Sequence, residues 1–192
     1  MQKRQFIAAA LGAASLPALA QGNAARGSRG PALLTVTGAI GKGNRGAFDP
    51  VRDVMMGKQK LSFDKAHAFD YATLAAMKPV TINPTLEYDG KPHKLAGPLL
   101  ADVLKAAGVT ATTGSLAMRA VDGYAPTLSL ADAVKLRFIV ATHLDGEPMP
   151  LGGLGPLWAV YDADRFPEVA AKPVAERFAN CPWALFHIAV QA

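Results

Sequence analysis

"KPVTINPTLEYDGKPHKLAGPLLADVLKAAG", residues 78–108, carries three folding signals in succession. Val80-Thr81-Ile82 is a short β-forming run, and Pro84 keeps Asn83 out of the helical region, so a strand ends there. Asp89-Gly90 is a turn dipeptide that folds the chain back as a hairpin. From Gly97 the period changes. Leu99, Leu100, Val103, Leu104 and Ala107 recur at helical spacing, Pro98 suits the first helical turn and Gly108 provides the stop. Asn83 is then an amide at the mouth of a strand, either a turn device or a group offered to a ligand.

On the N-terminal side, Ala32 to Thr37 is expected as the opening strand, closed by Gly38. The polar stretch after it holds one short helix, with Asp49 as its cap and Pro50 in its first turn. Phe69 to Met77 reads as a second short helix. On the C-terminal side, strands are expected over Leu116–Val121, Phe138–His143 and Leu157–Tyr161, with turns at Asp122-Gly123 and Asp145-Gly146. Ser129 followed by Asp132 has the form of a capped short helix. Trp183–Val190 closes the chain, with Ala184, Phe186, Ile188 and Val190 alternating as one buried face. Strands outnumber helices and short helices fill the connections. The fold class is therefore α+β, on a mixed or antiparallel sheet with short helices.

The first residues read differently. Met1 to Gln5 is a basic head, Phe6 to Leu16 an apolar run, and Ala18-Leu19-Ala20 a small-residue cleavage site. About eleven residues are too few to span a bilayer, which takes about 20. Residues 1–20 are expected to be a cleaved signal peptide of the general or twin-arginine-like kind, "KRQFI" resembling the latter. Residues 21–31 are expected as a flexible leader and 32–192 as one domain, placing the protein in the periplasm. Without Lys3 and Arg4, 18 basic and 15 acidic residues remain, a net of +3, with no cationic stripe for a nucleic-acid partner. The single cysteine, Cys181, cannot form a disulfide within the chain and reads as a small buried residue.

Motif chemistry is sparse. The four histidines, His67, His93, His143 and His187, fall in separate segments, and neither HExxH nor CxxC occurs, so no protein-ligated metal is expected. G-x-S-x-G is absent, and "GGLG" at 152–155 lacks the Lys-Ser/Thr of a phosphate loop. Composition and spacing reach an exported α+β domain and stop there.

The order of three segments goes further. "DGKPHKLAGPLLADVLKAAGV" (89–109), "AVDGYAPTLSLADA" (120–133) and "DGEPMPLGGLGPLWAVYD" (145–162), followed by a closing strand, resembles the molybdopterin-binding domain of the sulfite-oxidase superfamily. The resemblance is nearer to its small, exported, single-domain members, with "GAIGKGNRG" and "FDKAHAFD" also similar. It implies a pterin-burying α+β fold in which catalytic members add a strand-end cysteine to molybdenum. That position matches at or beside Asn83, a neutral amide unsuited to replace a thiolate. Relatives also hold the cofactor's phosphate with cations after Pro-Leu. Here Trp158 follows Pro156-Leu157, and Asp162 and Asp164 come next, with Arg165 as partial compensation. The resemblance so altered implies a pterin, a simple unphosphorylated one suiting the site better than molybdopterin, which stays open as the alternative, and makes bound molybdenum doubtful.

A pterin needs a plane to stack on and hydrogen-bonding partners for its pyrimidine edge. The candidates are Asn44 and Arg45 in a Gly-flanked loop, Asn83 at the strand end, Asp122 and Tyr124 flanking a turn, His143 at a strand end, and Trp158 and Tyr161. Each also has a structural reading, as a turn residue, a boundary histidine or a core aromatic. Three functions follow: a non-catalytic periplasmic pterin-binding domain that reports to a membrane signalling or redox protein, a molybdopterin-dependent oxidoreductase, or a ligand-free interaction domain.

Overall fold

Eleven strands and five short α-helices alternate along residues 30–192, the residues that the computed structural model describes. The expected export signal over 1–20, and all but the last two residues of the expected leader over 21–31, lie outside them. In chain order the elements are β1 (Ala32–Gly38), α1 (Val54–Lys58), β2 (His67–Asp70), α2 (Tyr71–Ala76), β3 (Pro79–Ile82), β4 (Leu95–Pro98), α3 (Leu100–Ala106), β5 (Ser115–Ala120), β6 (Thr127–Ser129), α4 (Leu130–Lys135), β7 (Ile139–Ala141), β8 (His143–Leu144), β9 (Glu147–Pro148), β10 (Trp158–Val160), α5 (Pro167–Ala170) and β11 (Leu185–Gln191). The fold is α+β, with mixed and antiparallel sheets and short helices.

Five strands form the main sheet in the order β2-β1-β11-β5-β6, in which only β1 and β11 run parallel. A four-stranded antiparallel sheet, β3-β4-β8-β9, and the pair β10-β7 make the second layer. β7 and β8 are one bent run, broken at Thr142, so the single strand expected over 138–143 is two. Both halves lie along β4. Thr142 N donates to Ala96 O (2.9 Å), and Leu100 N to Phe138 O (2.8 Å). Leu34, Val36, Leu116, Met118 and Ile188 of the main sheet share a buried core with Leu100, Val103 and Leu104 of α3, and with Trp158 and Val160.

Local signals and pairing compete at three places. Pro98 was expected inside the helix, but it ends β4 opposite Pro79, and α3 starts only at Leu100. The strand pairing overrides the cap signal, while Gly108, at φ +81°, stops the helix as its sequence indicates. Phe69, expected in a helix, belongs to β2 opposite Leu34, and Asp70 then caps α2 by accepting from Thr73 N (2.7 Å). Asp49 does cap a turn, accepting from Val51 N (2.8 Å) and Arg52 N (2.9 Å), although regular α1 begins at Val54.

The closing strand corrects the alternation expected for it. Leu185 pairs with Ala120 and His187 with Arg119, so Phe186 is an extra residue on β11, a bulge. Beyond it Ile188 and Val190 align with Met118 and Leu116 in the core. Phe186 instead lines a cavity with Thr35 and Met56. Leu185 to Ile188 are all buried, as suits a strand paired on both edges. His187 is 2% exposed and meets Thr37 Oγ1 through Nε2 (3.0 Å); burial pushes its pKa down to about 4, so the imidazole is neutral.

Where β4 crosses the bent strand, Gly97 permits a backbone approach that no side chain would allow. A Cβ there would lie 2.0 Å from Val140 O and 2.8 Å from Ala141 Cα. Gly97→Ala is expected to lower unfolding free energy by about 1–3 kcal/mol, as overpacking does. Gly46→Ala, whose Cβ meets nothing within 4 Å, should stay within about 0.5 kcal/mol. Paired urea denaturation curves measure both.

Candidate functional site

Three loops and the entry to β11 converge on one side of the molecule. The β3–β4 hairpin supplies Leu86, Tyr88, Asp89 and His93, the turn after β5 supplies Val121 and Asp122, and the stretch from Leu144 to Leu154 supplies most of the rest. With Trp183 and Ala184 they wall an open groove of about 1130 Å³, somewhat larger than most ligand clefts, which run roughly 300–1,000 Å³. Leu86 and Met149 are buried in it, while Tyr88, Val121, Leu151 and Trp183 leave apolar surface exposed. A smaller cavity of about 300 Å³ adjoins it and shares Tyr88, Asp122 and Trp183.

Ala184 joins these walls. It has φ +48°, a left-handed conformation unusual for alanine. Its N–H donates to Leu154 O (3.1 Å), and its carbonyl accepts from Val121 N (3.1 Å). One residue thus ties the Gly-rich segment to the end of β5. Trp183 is bridged to Trp158 beside it and stays 39% exposed on the groove wall.

Across the groove a histidine fastens two loops. His93 Nδ1 lies 2.7 Å from Asp145 Oδ2, and Nε2 lies 3.1 Å from Asp89 Oδ2. Asp145 Oδ1 also accepts from Lys94 N (2.9 Å). The hydrogen bond to Asp145, then that to Asp89, raises the pKa of His93, while the bonds from His93 lower both carboxylates. When protonated, the ring donates to both acids and clasps the β3–β4 hairpin to the β8–β9 turn.

Of the eight candidates named from sequence, Asp122, Tyr124 and Trp158 meet at the smaller cavity. Asp122 Oδ1 accepts from Tyr124 N (2.9 Å), and the Tyr124 hydroxyl donates to Ala179 O. Trp158 is buried, with Nε1 donating to Cys181 O (2.9 Å). The other five lie elsewhere. Asn44 brackets Ala68, donating to its carbonyl (2.9 Å) and accepting from its N–H (2.7 Å). Arg45 is locked bidentate on Asp53 (3.0 and 2.6 Å) and lines a different cavity. His143 sits between Tyr71 (3.1 Å) and Thr142 (2.8 Å) at a third cavity. Tyr161 stacks on Phe138 (4.9 Å) in the core, its hydroxyl on Arg177 O (2.8 Å). Asn83 is exposed at the end of β3 and lines neither the groove nor its neighbour.

Sequence reasoning missed Tyr88, His93, Glu147, Met149, Leu151 and Trp183. For Met149 and Leu151 the signal was an apolar, Pro- and Gly-rich stretch, 148–157, too irregular for a strand; Tyr88, His93, Glu147 and Trp183 carried none.

These residues do not fit a thiolate-held molybdenum cofactor. The end of β3 offers an amide, and Cys181 is buried, its thiol pushed well above its ordinary pKa by that burial. Neither the groove nor the smaller cavity has a Lys or Arg in its lining to hold a phosphate. Asp164, one of the two acids found where relatives carry cations, is neutralised by Arg177 (2.8 Å) and accepts from Thr85 N (2.6 Å).

No protein-family model matches the chain, and no curated protein matches it in sequence. Among solved structures, the sulfane dehydrogenase SoxCD from Paracoccus pantotrophus is similar, with a TM-score of 0.53 at 12% identity over 82% of this chain. The match spans 37% of that chain. At this identity the likeness is one of fold alone, the α+β architecture that the resemblance to the sulfite-oxidase superfamily implies.

The clasp has a pH window. The contribution of His93 is complete below its ordinary value of 6.5 and is lost as pH rises through its raised value. Those of Asp89 and Asp145 are present above their ordinary value of 3.8 and are lost as pH falls through their lowered ones. An NMR titration should place the His93 midpoint above 6.5, and Asp145→Asn should bring it down. A wild-type midpoint at or below 6.5 would contradict the clasp.

Proposed function

We propose that this chain is a non-catalytic pterin-binding domain whose site is the groove and small cavity that meet at Asp122. The observation that carries the reading is the grouping of Asp122 with Tyr88 and Trp183, the three residues common to both spaces. The pyrimidine edge of a pterin presents adjacent N–H donors, which suit a carboxylate with two acceptor oxygens. Its flat ring suits an aromatic wall. The groove is larger than one bicyclic ring, so the ring sits at the Asp122 end and a substituent extends towards Met149. The likeness of fold to a sulfane dehydrogenase supports the scaffold; the absence of a strand-end thiol supports binding without redox turnover. The export signal read from sequence suggests a periplasmic protein that presents its liganded state to a membrane signalling or redox partner.

One observation favours a second reading. Leu151 is 70% and Tyr88 58% exposed beside Trp183, an apolar rim of the kind found where proteins meet. In that case the chain is an interaction domain and binds no pterin.

Titrating the purified protein with 6-hydroxymethylpterin, followed by ligand fluorescence, separates the two. Stacking of a base on an aromatic side chain is worth about 1–3 kcal/mol, so Trp183→Ala should weaken binding by about 5- to 150-fold. His143→Gln, in a separate cavity, should change it less than about twofold. No saturable binding by the wild-type protein would sink the pterin reading in favour of the interaction domain.

A further inference from the structure

We propose that the groove selects its ligand by charge, accepting flat heterocycles that are neutral or cationic and rejecting those that carry a phosphate or carboxylate. The choice of a heterocycle rests on the pterin reading; the choice of charge does not.

Three loops each place one carboxylate on the lining: Asp89 from the hairpin, Asp122 from the turn after β5, and Glu147 from β9. Lys and Arg are absent from that lining, and its one basic group, His93, is already shared between Asp89 and Asp145. The chain as a whole has 20 basic against 15 acidic residues. Acidity of the groove is therefore a property of the site and not of the composition. Asp122 Oδ1 accepts from Tyr124 N, while Oδ2 makes no hydrogen bond among the described residues and can accept from a ligand. Glu147 is exposed, and its carboxylate makes no hydrogen bond or ion pair with another described residue.

Between the carboxylates the walls are apolar, through Leu86, Met149 and Leu154, with Tyr88 and Trp183 at the mouth. Low-dielectric walls of this kind focus the field of the fixed charges into the groove. The same aromatic faces attract a cation and the electron-poor edge of a heterocycle. The three carboxylates are exposed, so an anion entering the groove meets like charges across water, where each close pair costs about 1 kcal/mol, roughly fivefold in affinity, and less as salt is added. Asp122 and Glu147 are the specificity residues, because neither carboxylate is neutralised by a cation among the described residues.

The test is a set of fluorescence titrations on the purified chain with two matched probe pairs, at low and at high salt. One pair is 6-hydroxymethylpterin against the anionic pterin-6-carboxylate. The other uses dyes for apolar grooves, cationic thioflavin T against anionic anilinonaphthalene sulfonate. The neutral pterin and the cationic dye should each bind at least tenfold tighter than their anionic counterparts at low salt, with both gaps shrinking as salt is added. Asp122→Asn with Glu147→Gln should narrow both gaps to about threefold or less. Asp64→Asn, outside the groove, should leave them unchanged, and circular dichroism checks that each variant folds. Discrimination between the dyes without pterin binding would remove the pterin and keep the charge rule. Pterin binding with no preference between members of a pair, or gaps that survive the double substitution, would overturn the charge rule and keep the pterin. Failure of every probe to bind would overturn both.

Discussion

The closing strand must be buried on both faces and bonded on both edges, and the rest of the molecule is arranged around that demand. β11 lies between β1, with which it runs parallel, and β5, with which it runs antiparallel. A parallel pairing cannot be closed by a tight turn, so the polypeptide between β1 and β11 must leave the sheet and come back. That intervening chain builds the second layer, the helices and every loop that walls the groove. The buried Thr37–His187 contact and the bulge at Phe186 show how the strand accepts two different surroundings at once. One face enters the apolar core, and the other carries the neutral His187, with Phe186 beside it lining a cavity with Met56 of α1.

The same strand sets the site. Just before β11, the left-handed Ala184 bonds to Leu154 and Val121, so the residue that starts the strand also joins two walls of the groove. Trp183 is held at the mouth by backbone contacts on one side and the bridge to Trp158 on the other. A site placed by hydrogen-bonded strand ends is rigid, while the residues lining it come from loops and can change without disturbing the sheet. Here the loops supply carboxylates and aromatic faces. The fold is similar to that of part of a sulfane dehydrogenase, but the side chains lining this groove lack the donor set of a thiolate-bound metal.

Several parts of this arrangement were legible in the residues. The strand ending at Ile82, the turn at Gly90, the stop at Gly108 and the Ser129 cap all stand as their local chemistry indicates. Misread were Pro98, Phe69 and the alternation of β11, and each error has the same cause. Strand pairing with a distant partner outweighed a preference of neighbouring residues worth at most about 1 kcal/mol. Asn44, Arg45 and His143 had the chemistry of ligand-binding groups, but their hydrogen-bonding capacity is spent on Ala68, on Asp53, and on Tyr71 and Thr142.

The α+β class, most turns and the longer strands and helices were decided by the sequence alone, because period, turn dipeptides and caps act over a few residues and need no partner; β2, β6 and β9, which exist only by pairing, were not. The tertiary structure decided which side chains share a space. Tyr88, Asp122, Glu147 and Trp183 are spread over nearly a hundred positions, and nothing local links them. They meet because the return of β11 to the middle of the sheet draws four distant loops together, and the sign of the charge they enclose depends on that meeting.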